Sequence, residues 1–310
     1  MHLESTYSDQ ALAFALRPEV FEPATIIRLA ELIDKEENAT HIFIPDISGS
    51  YEPLEISSAA LAVTRKLRIG SGVIRLLEHD QTLLLRRLET MQQISSNRFV
   101  LGVGTGGSVP NPSETISKMV QGLGELQSSF AQKTVSSTDL KMPQTFIATL
   151  RTGIAKAVAG HSNGILMNFC SPSHASRLIH AFKETTNKEV IFACYLKIFY
   201  SKDKSAADRL LMEEFAKYDH LPQYHEMFKQ DGVANLINEG SRRLSANRDI
   251  GIPEELLQIS LSNPSQDELN EYVKNFRSSG VKLPCIYPYF PRNENEEYKT
   301  QKVLEIARES

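Results

Sequence analysis

A short loop in the middle of the chain carries the residue types that bind an anion. Thr149, Arg151, Thr152 and Gly153 follow an apolar run and open a helical pattern. Backbone N–H groups at a helix start, with an arginine and a hydroxyl beside them, suit a phosphate. An ordinary helix start without a ligand is the competing interpretation. The spacing therefore predicts a phosphate-binding loop at these four residues.

Two other polar side chains end apolar runs. Asp46 follows the run HIFIP, and Asn168 lies within GILMNF. At the carboxyl end of a parallel strand, Asp46 could accept a hydrogen bond from a ligand ring or hydroxyl, or it could cap a helix. Asn168 could bond a pyrimidine carbonyl, or it could be a buried amide satisfied by the backbone. Both residues are candidate ligand contacts.

A glycine-rich turn and a histidine complete the set of candidate residues. Thr105 and Gly106 lie in GVGTGG, where small residues let a flat ring come close. The glycine spacing there is G-x-G-x-G-G, so it does not match the dinucleotide-binding pattern G-x-G-x-x-G. His79 follows the third apolar run and could contact substrate or a phosphate. A solvated loop histidine is the alternative.

Eight apolar runs, each rich in strand-forming residues, alternate with amphipathic segments. Near-continuous runs such as FVLGVG are typical of parallel strands covered on both faces. The predicted strands are Ala11–Leu16, His41–Pro45, Leu67–Ile74, Phe99–Gly104, Thr145–Leu150, Gly164–Phe169, Val190–Phe199 and Leu283–Pro288.

The number of strands and the lack of a dinucleotide fingerprint favour a closed barrel over an open sheet. From Ser201 to Lys282 the sequence shows helical stretches and no convincing strand. The fold class predicted is therefore α/β, a (β/α)8 TIM barrel with a helical insertion (201–282) after the seventh strand. We expect one domain over residues 1–310.

Charge and cysteine usage limit the partners. A net charge of −4 argues against a nucleic acid or an acidic membrane surface. No stretch approaches the ~20 apolar residues of a membrane helix, and the first residues do not form a secretory signal. Cys170, Cys194 and Cys285 are odd in number and lack metal-ligand spacing. We expect no metal, reduced thiols and a cytoplasmic location.

Three blocks in order resemble one enzyme family. They are LRIGSGVIRLLEHDQTLLLRRLETMQQISSNRFVLGVGTGG, TFIATLRTGIAKAVAGHSNGILMNFCSPS and residues 266–288. Together they resemble the bacterial luciferase-like flavin and deazaflavin oxidoreductases. The short segment between the fourth and fifth predicted strands is most similar to the coenzyme F420-dependent methylenetetrahydromethanopterin reductases.

The resemblance implies hydride transfer between bound F420 and a small carbon or pterin-linked substrate, in a homodimer. It implies a cis peptide bond between Gly72 and Val73 that presses against the cofactor ring. It also implies catalytic roles for Asp46 and His79, and cofactor contacts from Asp46, Gly72, Val73, Thr105, Gly106, Thr149, Arg151, Thr152, Gly153 and Asn168.

Three positions depart from the family pattern. Ile47 replaces a histidine that usually follows the aspartate, Thr149 replaces a loop glycine, and Gly107 replaces the glutamate of deazaflavin-dependent sugar-phosphate dehydrogenases. Isoleucine cannot exchange a proton, so mechanisms that use that histidine are in doubt. Two alternatives therefore stay open: an FMN-dependent monooxygenase, and a cofactor-binding relative that has lost catalysis.

Overall fold

The structure is a computed structural model, which describes residues 10–106, 111–134, 139–184, 186–248 and 250–309. The strands are β1 (Leu12–Ala15), β2 (Ala39–Ile44), β3 (Arg68–Ser71), β4 (Ile74–Arg75), β5 (Phe99–Gly104), β6 (Gln144–Ala148), β7 (Gly164–Asn168), β8 (Ile191–Phe199), β9 (Leu261–Ser262) and β10 (Leu283–Tyr289). The helices are α1 (Pro23–Ile33), α2 (Pro53–Val63), α3 (Gln81–Ser95), α4 (Pro112–Thr134), α5 (Thr152–Val158), α6 (Pro172–Lys183), α7 (Lys204–Asp219), α8 (Pro222–Gln230), α9 (Ala234–Ser245), α10 (Glu254–Leu257), α11 (Gln266–Ser278) and α12 (Glu296–Glu309).

Eight parallel strands close into a barrel, with helices around it. The order β10-β1-β2-β3-β5-β6-β7-β8 closes on itself because β8 also pairs with β10, from Leu283↔Ala193 to Tyr289↔Phe199. Every residue of β5, β8 and β10 is buried, which explains their near-continuous apolar sequences. The (β/α)8 TIM barrel predicted from the sequence is confirmed.

Local signals start the helices that pack outside the barrel. Proline occupies the first position of five of them, where its missing N–H costs nothing: Pro23, Pro53, Pro112, Pro172 and Pro222. The Asp80 side chain caps α3 by accepting the N–H of Leu83 at 2.7 Å. These caps fix where each helix leaves the barrel rim, and so where each preceding loop stands.

The third predicted strand, Leu67–Ile74, is interrupted in the structure. It divides into β3 and β4, and both parts pair with β5. Ile69 pairs with Phe99 and Ile74 pairs with Val103. The segment from β3 to β4 therefore advances five residues where β5 advances four. One extra residue is accommodated at Gly72 and Val73, which is the geometry of a bulge. The continuous strand was a wrong prediction at this point.

The prediction that residues 201–282 hold no strand is also wrong. Strand β9 pairs with the end of β8, Ile198↔Leu261 and Phe199↔Ser262. It fills the edge of β8 beyond its last partner in β7, Asn168↔Tyr195. A strand of two residues is too short to show an alternation of apolar and polar residues, so β9 could not be predicted from the sequence. Helices α7, α8, α9, α10 and α11 also lie within residues 201–282.

Within the described ranges, none of the helices combines the length and apolarity that a membrane span needs. The same residues contain no group of three or more His, Cys, Asp or Glu that could hold a metal ion.

Candidate functional site

A cavity of about 490 Å³ opens at the carboxyl ends of the barrel strands. This volume lies within the range of small-molecule sites, and this face is where such barrels carry their active sites. Its lining includes eight of the residues predicted to form the site: Asp46, Gly72, Val73, Thr105, Gly106, Thr149, Arg151 and Asn168.

Asp46 is held by an arginine that sequence reasoning missed. Arg75 Nε lies 3.3 Å from Asp46 Oδ2, and Arg75 Nη2 lies 3.4 Å from the same oxygen and 3.5 Å from Oδ1. Arg75 also pairs with Glu78, three residues on. A carboxylate held by a guanidinium fork is fixed in orientation and acts as a hydrogen-bond acceptor. The partners are 29 residues apart in the sequence, so the pair could not be recognised there.

Gly72 stands where no side chain fits. A Cβ there would lie 1.9 Å from the hydroxyl oxygen of Tyr195 and 2.7 Å from Phe43 Cβ. The Tyr195 hydroxyl donates a hydrogen bond to the Gly72 carbonyl at 2.8 Å. The Gly72–Val73 peptide bond is cis, as the resemblance implied. Tyr195 lines the cavity and was missed because it lies inside an apolar strand.

Two glycines of β5 make room for Val73. A Cβ on Gly104 would lie 2.8 Å from Val73 Cγ2, and one on Gly102 would lie 3.0 Å from Val73 Cγ1. Real Cβ contacts are not so short, so β5 accepts only glycine at these points. Gly102 and Gly104, whose spacing does not match the dinucleotide-binding pattern, therefore have a structural role. They leave space for Val73, which lies at the floor of the cavity.

The turn after β5 approaches Arg75. Thr105 and Gly106 both line the cavity, and Gly106 has a φ of +82°, which favours glycine. A Cβ on Gly106 would lie 3.0 Å from Arg75 Cδ. Gly107, where related sugar-phosphate dehydrogenases have a glutamate, lies outside the described residues.

The predicted phosphate loop is only partly at the cavity. Thr149 and Arg151 line it, whereas Thr152 and Gly153 lie just beyond its lining residues at the start of α5. Thr149 Oγ1 accepts the Arg151 N–H at 3.0 Å, which folds the loop into a tight turn. A Cβ on Gly153 would meet nothing within 4 Å. The start of α5 is therefore open to a ligand.

A histidine supports this loop from behind. His174 Nε2 lies 3.1 Å from the carbonyl oxygen of Leu150. It occupies the first turn of α6, where its side chain is buried. Desolvation lowers its pKa, which keeps the imidazole neutral.

His79 lies away from the cavity. It ends a short 3₁₀ turn (Leu76–Glu78), and its backbone N–H donates to the Leu76 carbonyl at 3.2 Å. It is half-exposed and is not among the described residues that line the cavity. Its catalytic role stays a prediction without a contact to support it.

Tyrosines line the side of the cavity formed by β7, β8, β10 and the α7–α8 corner. Asn168 Nδ2 donates to the Tyr224 hydroxyl at 2.7 Å and to the Tyr218 hydroxyl at 3.4 Å. The Tyr218 and Tyr224 rings lie 4.5 Å apart, edge to face. Tyr195 and Tyr287 rings lie 4.9 Å apart. The insertion showed no readable motif, so Tyr218 and Tyr224 were missed.

A buried ion pair lies behind the tyrosines. Lys197 Nζ is 2.6 Å from Glu214 Oε1 and 3.7 Å from the centre of the Tyr218 ring. The Tyr289 hydroxyl donates to the same carboxylate oxygen at 2.7 Å. Although burial opposes its ionisation, the Lys197 ammonium lowers the pKa of Glu214 to about 2. Neither Lys197 nor Glu214 is among the described lining residues.

Comparisons with known proteins agree with this fold. Residues 8–114 match the family model of luciferase-like monooxygenases. No curated protein matches the chain. The fold is similar to that of an F420-dependent tetrahydromethanopterin reductase from Methanopyrus kandleri, with 16% identity, a TM-score of 0.67, and 96% of this chain and 97% of that one covered.

Two further structures share the fold. An F420-dependent secondary alcohol dehydrogenase bound to an F420–acetone adduct gives a TM-score of 0.72 at 13% identity, over 96% of this chain and 98% of that one. The oxygenating constituent of 3,6-diketocamphane monooxygenase from Pseudomonas putida, in complex with FMN, gives 0.63 at 13% identity over the same shares. The resemblance inferred from the sequence is thus confirmed: residues 8–114 match the luciferase-like monooxygenase family, and 96% of the chain aligns with the barrel fold of these F420- and FMN-dependent proteins.

Proposed function

We propose that the protein is an oxidoreductase that transfers a hydride between bound coenzyme F420 and a small carbon or pterin-linked substrate. One observation carries this proposal. Asp46, Arg75 and Arg151, the Asp, Glu, Lys, Arg and His residues among the described lining residues, all stand on the β2–β6 side, around a floor of glycine and Val73. A flat ring with an anionic tail needs that arrangement.

The residues present fit such a cofactor. Gly104 and Gly106 keep side chains away from the floor, and Gly153 leaves the start of α5 open. Arg151 supplies a cation beside the backbone N–H groups of that helix start. The Asp46 carboxylate, fixed by Arg75, offers acceptors to a ring N–H or a hydroxyl. We assign the phosphate to the Arg151 loop and the ring to Val73 and Gly106.

When bound, the deazaflavin gives or takes a hydride, so the substrate carbon is reduced or oxidised by two electrons. The chain's own residues supply positioning. Tyr195 fixes the Gly72 carbonyl, and the Asp46–Arg75 pair fixes the edge of the floor. Burial raises the pKa of Tyr195 and of Tyr224, so their hydroxyls act as hydrogen-bond donors. The accompanying proton exchanges with water or a substrate group.

The second candidate is an FMN-dependent monooxygenase. The matched family model has that activity in its description, and one structural neighbour holds FMN. A third possibility is a cofactor-binding protein without catalysis, favoured by the absence of histidine among the described lining residues. Ile47, where relatives place a histidine, lines the cavity and cannot replace that function.

A titration separates these candidates. Purified protein is added to F420 and, separately, to FMN, and cofactor fluorescence is followed. The proposal expects saturable quenching of F420 at micromolar protein and weaker quenching of FMN. Tighter binding of FMN would transfer the assignment to the monooxygenase. If neither cofactor binds at micromolar concentration, the enzyme proposal fails. Binding of F420 without turnover of any alcohol or pterin-linked substrate would favour the non-catalytic alternative.

We also propose a homodimer. Five large hydrophobic side chains between residues 51 and 94 are about half-exposed, on and around α2 and α3: Tyr51, Val63, Leu77, Leu83 and Ile94. Apolar groups concentrated in one region favour self-association. Light scattering coupled to size exclusion should give twice the chain mass, and Leu83→Glu with Ile94→Glu should give the monomer. A monomeric wild-type protein would refute this part.

The cysteines support the cytoplasmic location that we propose. Cys170, Cys194 and Cys285 are all free and buried, as expected for a reducing compartment. Titration with a thiol reagent after unfolding should find all three as thiols, whereas a lower number would contradict this.

A further inference from the structure

The two sides of the cavity differ in charge. On the β7–β10 side, the described lining residues contain no Asp, Glu, Lys, Arg or His, and four of them are tyrosines: Tyr195, Tyr218, Tyr224 and Tyr287. Burial raises the pKa of Tyr195, Tyr224 and Tyr287. These phenols therefore stay neutral, and this side of the cavity offers an ionic ligand no counter-charge.

The nearest charges behind this wall do not reach the cavity. Lys197 is fully buried, and its ammonium lies between Glu214 and the face of the Tyr218 ring. The ion pair neutralises itself, and neither of its side chains is among the described lining residues. An anionic substrate group on this side would lose its hydration without gaining a counter-charge.

Asn168 supplies a strongly directional polar group on this side. Its Nδ2 donates to the Tyr224 and Tyr218 hydroxyls, while its Oδ1 is buried and has no partner among the described residues. A buried acceptor of this kind is normally satisfied in the working protein. Because the two hydroxyl oxygens accept from Asn168, their protons remain available to donate. Acceptor and donors therefore stand side by side.

The sequence prediction gave Asn168 to the cofactor, but its position among the tyrosines favours a substrate. We propose that this side of the cavity binds a neutral, planar substrate. It presents an N–H or O–H to Asn168 Oδ1 and an acceptor to the Tyr218 and Tyr224 hydroxyls. This rests on the proposed function, in which the β2–β6 side holds the cofactor. A lactam or a hydroxylated ring has this combination, whereas carboxylates and phosphates do not.

A probe series tests the proposal on the full-length, F420-loaded protein. The probes are 2-pyridone, which has N–H beside C=O, N-methyl-2-pyridone, which lacks the N–H, and benzoate, which is planar but anionic. Ligand-observed NMR titration measures each dissociation constant. We expect 2-pyridone to bind about tenfold more tightly than its N-methyl derivative, and benzoate to bind more weakly than both.

Variants assign the effect to the named groups. Asn168→Ala should weaken 2-pyridone about tenfold while leaving the N-methyl probe and F420 affinity unchanged. Tyr224→Phe, which keeps the ring, should weaken both pyridones. The matched control is Asn270→Ala, since Asn270 is exposed on α11, and it should change nothing.

Several results would overturn the proposal. Equal affinity for the two pyridones would show that Asn168 Oδ1 accepts no hydrogen bond from the ligand. Displacement of F420 by 2-pyridone, with loss of F420 affinity in Asn168→Ala, would return Asn168 to the cofactor. Failure of F420 to bind at all refutes the proposed function instead. The probe series on the unloaded protein then still decides whether the tyrosine side selects neutral donors.

Discussion

Lys197 and Glu214 form a buried ion pair, with Nζ and Oε1 2.6 Å apart, that joins β8 to α7 directly behind Tyr218. The lysine side chain is fully buried and the glutamate side chain is 9% exposed. The pair therefore links α7, which carries Tyr218, to strand β8 of the barrel. Removing one partner leaves the other as an unpaired charge in the interior, which is costly.

We expect Lys197→Met to lower the free energy of unfolding by about 3–5 kcal/mol. Urea unfolding followed by circular dichroism measures this. The control is Lys204→Met, because Lys204 forms an exposed pair with Asp208 at 3.1 Å and should lose at most about 1 kcal/mol. Equal losses in the two variants would show that burial of the Lys197–Glu214 pair is not what makes it matter.

The same ion pair predicts that the folded state loses stability at acidic pH. Lys197 holds the pKa of Glu214 at about 2, below its ordinary value of 4.5, against the opposing effect of burial. A depressed carboxyl pKa stabilises the folded state above the unfolded value, and this contribution disappears as pH falls from about 4.5 towards 2. Glu214→Gln should therefore flatten the loss of stability over that window.

The midpoint of urea unfolding, measured from about pH 6 to about pH 2.5, provides the readout for this carboxyl. The control variant is Glu239→Gln, since Glu239 pairs with Arg243 on an exposed face of α9. It should keep the wild-type slope. An unchanged slope in Glu214→Gln would contradict the depressed pKa.

Gly72→Ala should damage both stability and cofactor binding. The added methyl would meet the Tyr195 hydroxyl and Phe43 Cβ well inside contact distance, and such overpacking costs about 1–3 kcal/mol. Thermal unfolding and F420 quenching measure the two effects. Gly153→Ala is the matched control, because a Cβ there meets nothing within 4 Å, and its stability should be unaffected. Wild-type stability and F420 affinity in Gly72→Ala would show that the groups around Gly72 move aside at little cost in free energy.

Arg151→Ala should weaken F420 by about 10- to 100-fold, because a charge-assisted bond to phosphate is worth about 1.5–3 kcal/mol. The loss should shrink at high salt, since Arg151 is exposed and therefore screened. Fluorescence titration at two salt concentrations measures it, and Arg243→Ala on α9 is the control. An unchanged F420 affinity would remove the phosphate from this loop.

The barrel could be predicted because buried parallel strands have nearly continuous apolar sequences, as β5 and β8 do. Parts of the cavity could also be predicted, since Asp46 and Thr149 follow such runs directly. The bulge at Gly72 came only from the family resemblance. Nothing in the residue types of Leu67–Ile74 distinguishes an interrupted strand from a continuous one.

The missed site residues depend on contacts between distant parts of the chain. Arg75 gains meaning only from Asp46, and Tyr224 only from Asn168, 56 residues away. In the sequence, Tyr195 is one residue of a largely apolar strand. Its role follows only from the hydrogen bond that its hydroxyl donates to the Gly72 carbonyl. His79 is a different case: its role came from the family resemblance, and because it is not among the described residues that line the cavity, that role stays a prediction.

The structure of the complex with F420 tests the central claim most directly. The account predicts the deazaflavin ring against Val73 and Gly106, with its phosphate within hydrogen-bond distance of Arg151. It also predicts Asn168 Oδ1 free for substrate. A cofactor bound with its phosphate away from the Arg151 loop, or with its ring on the tyrosine side against Asn168, would contradict it.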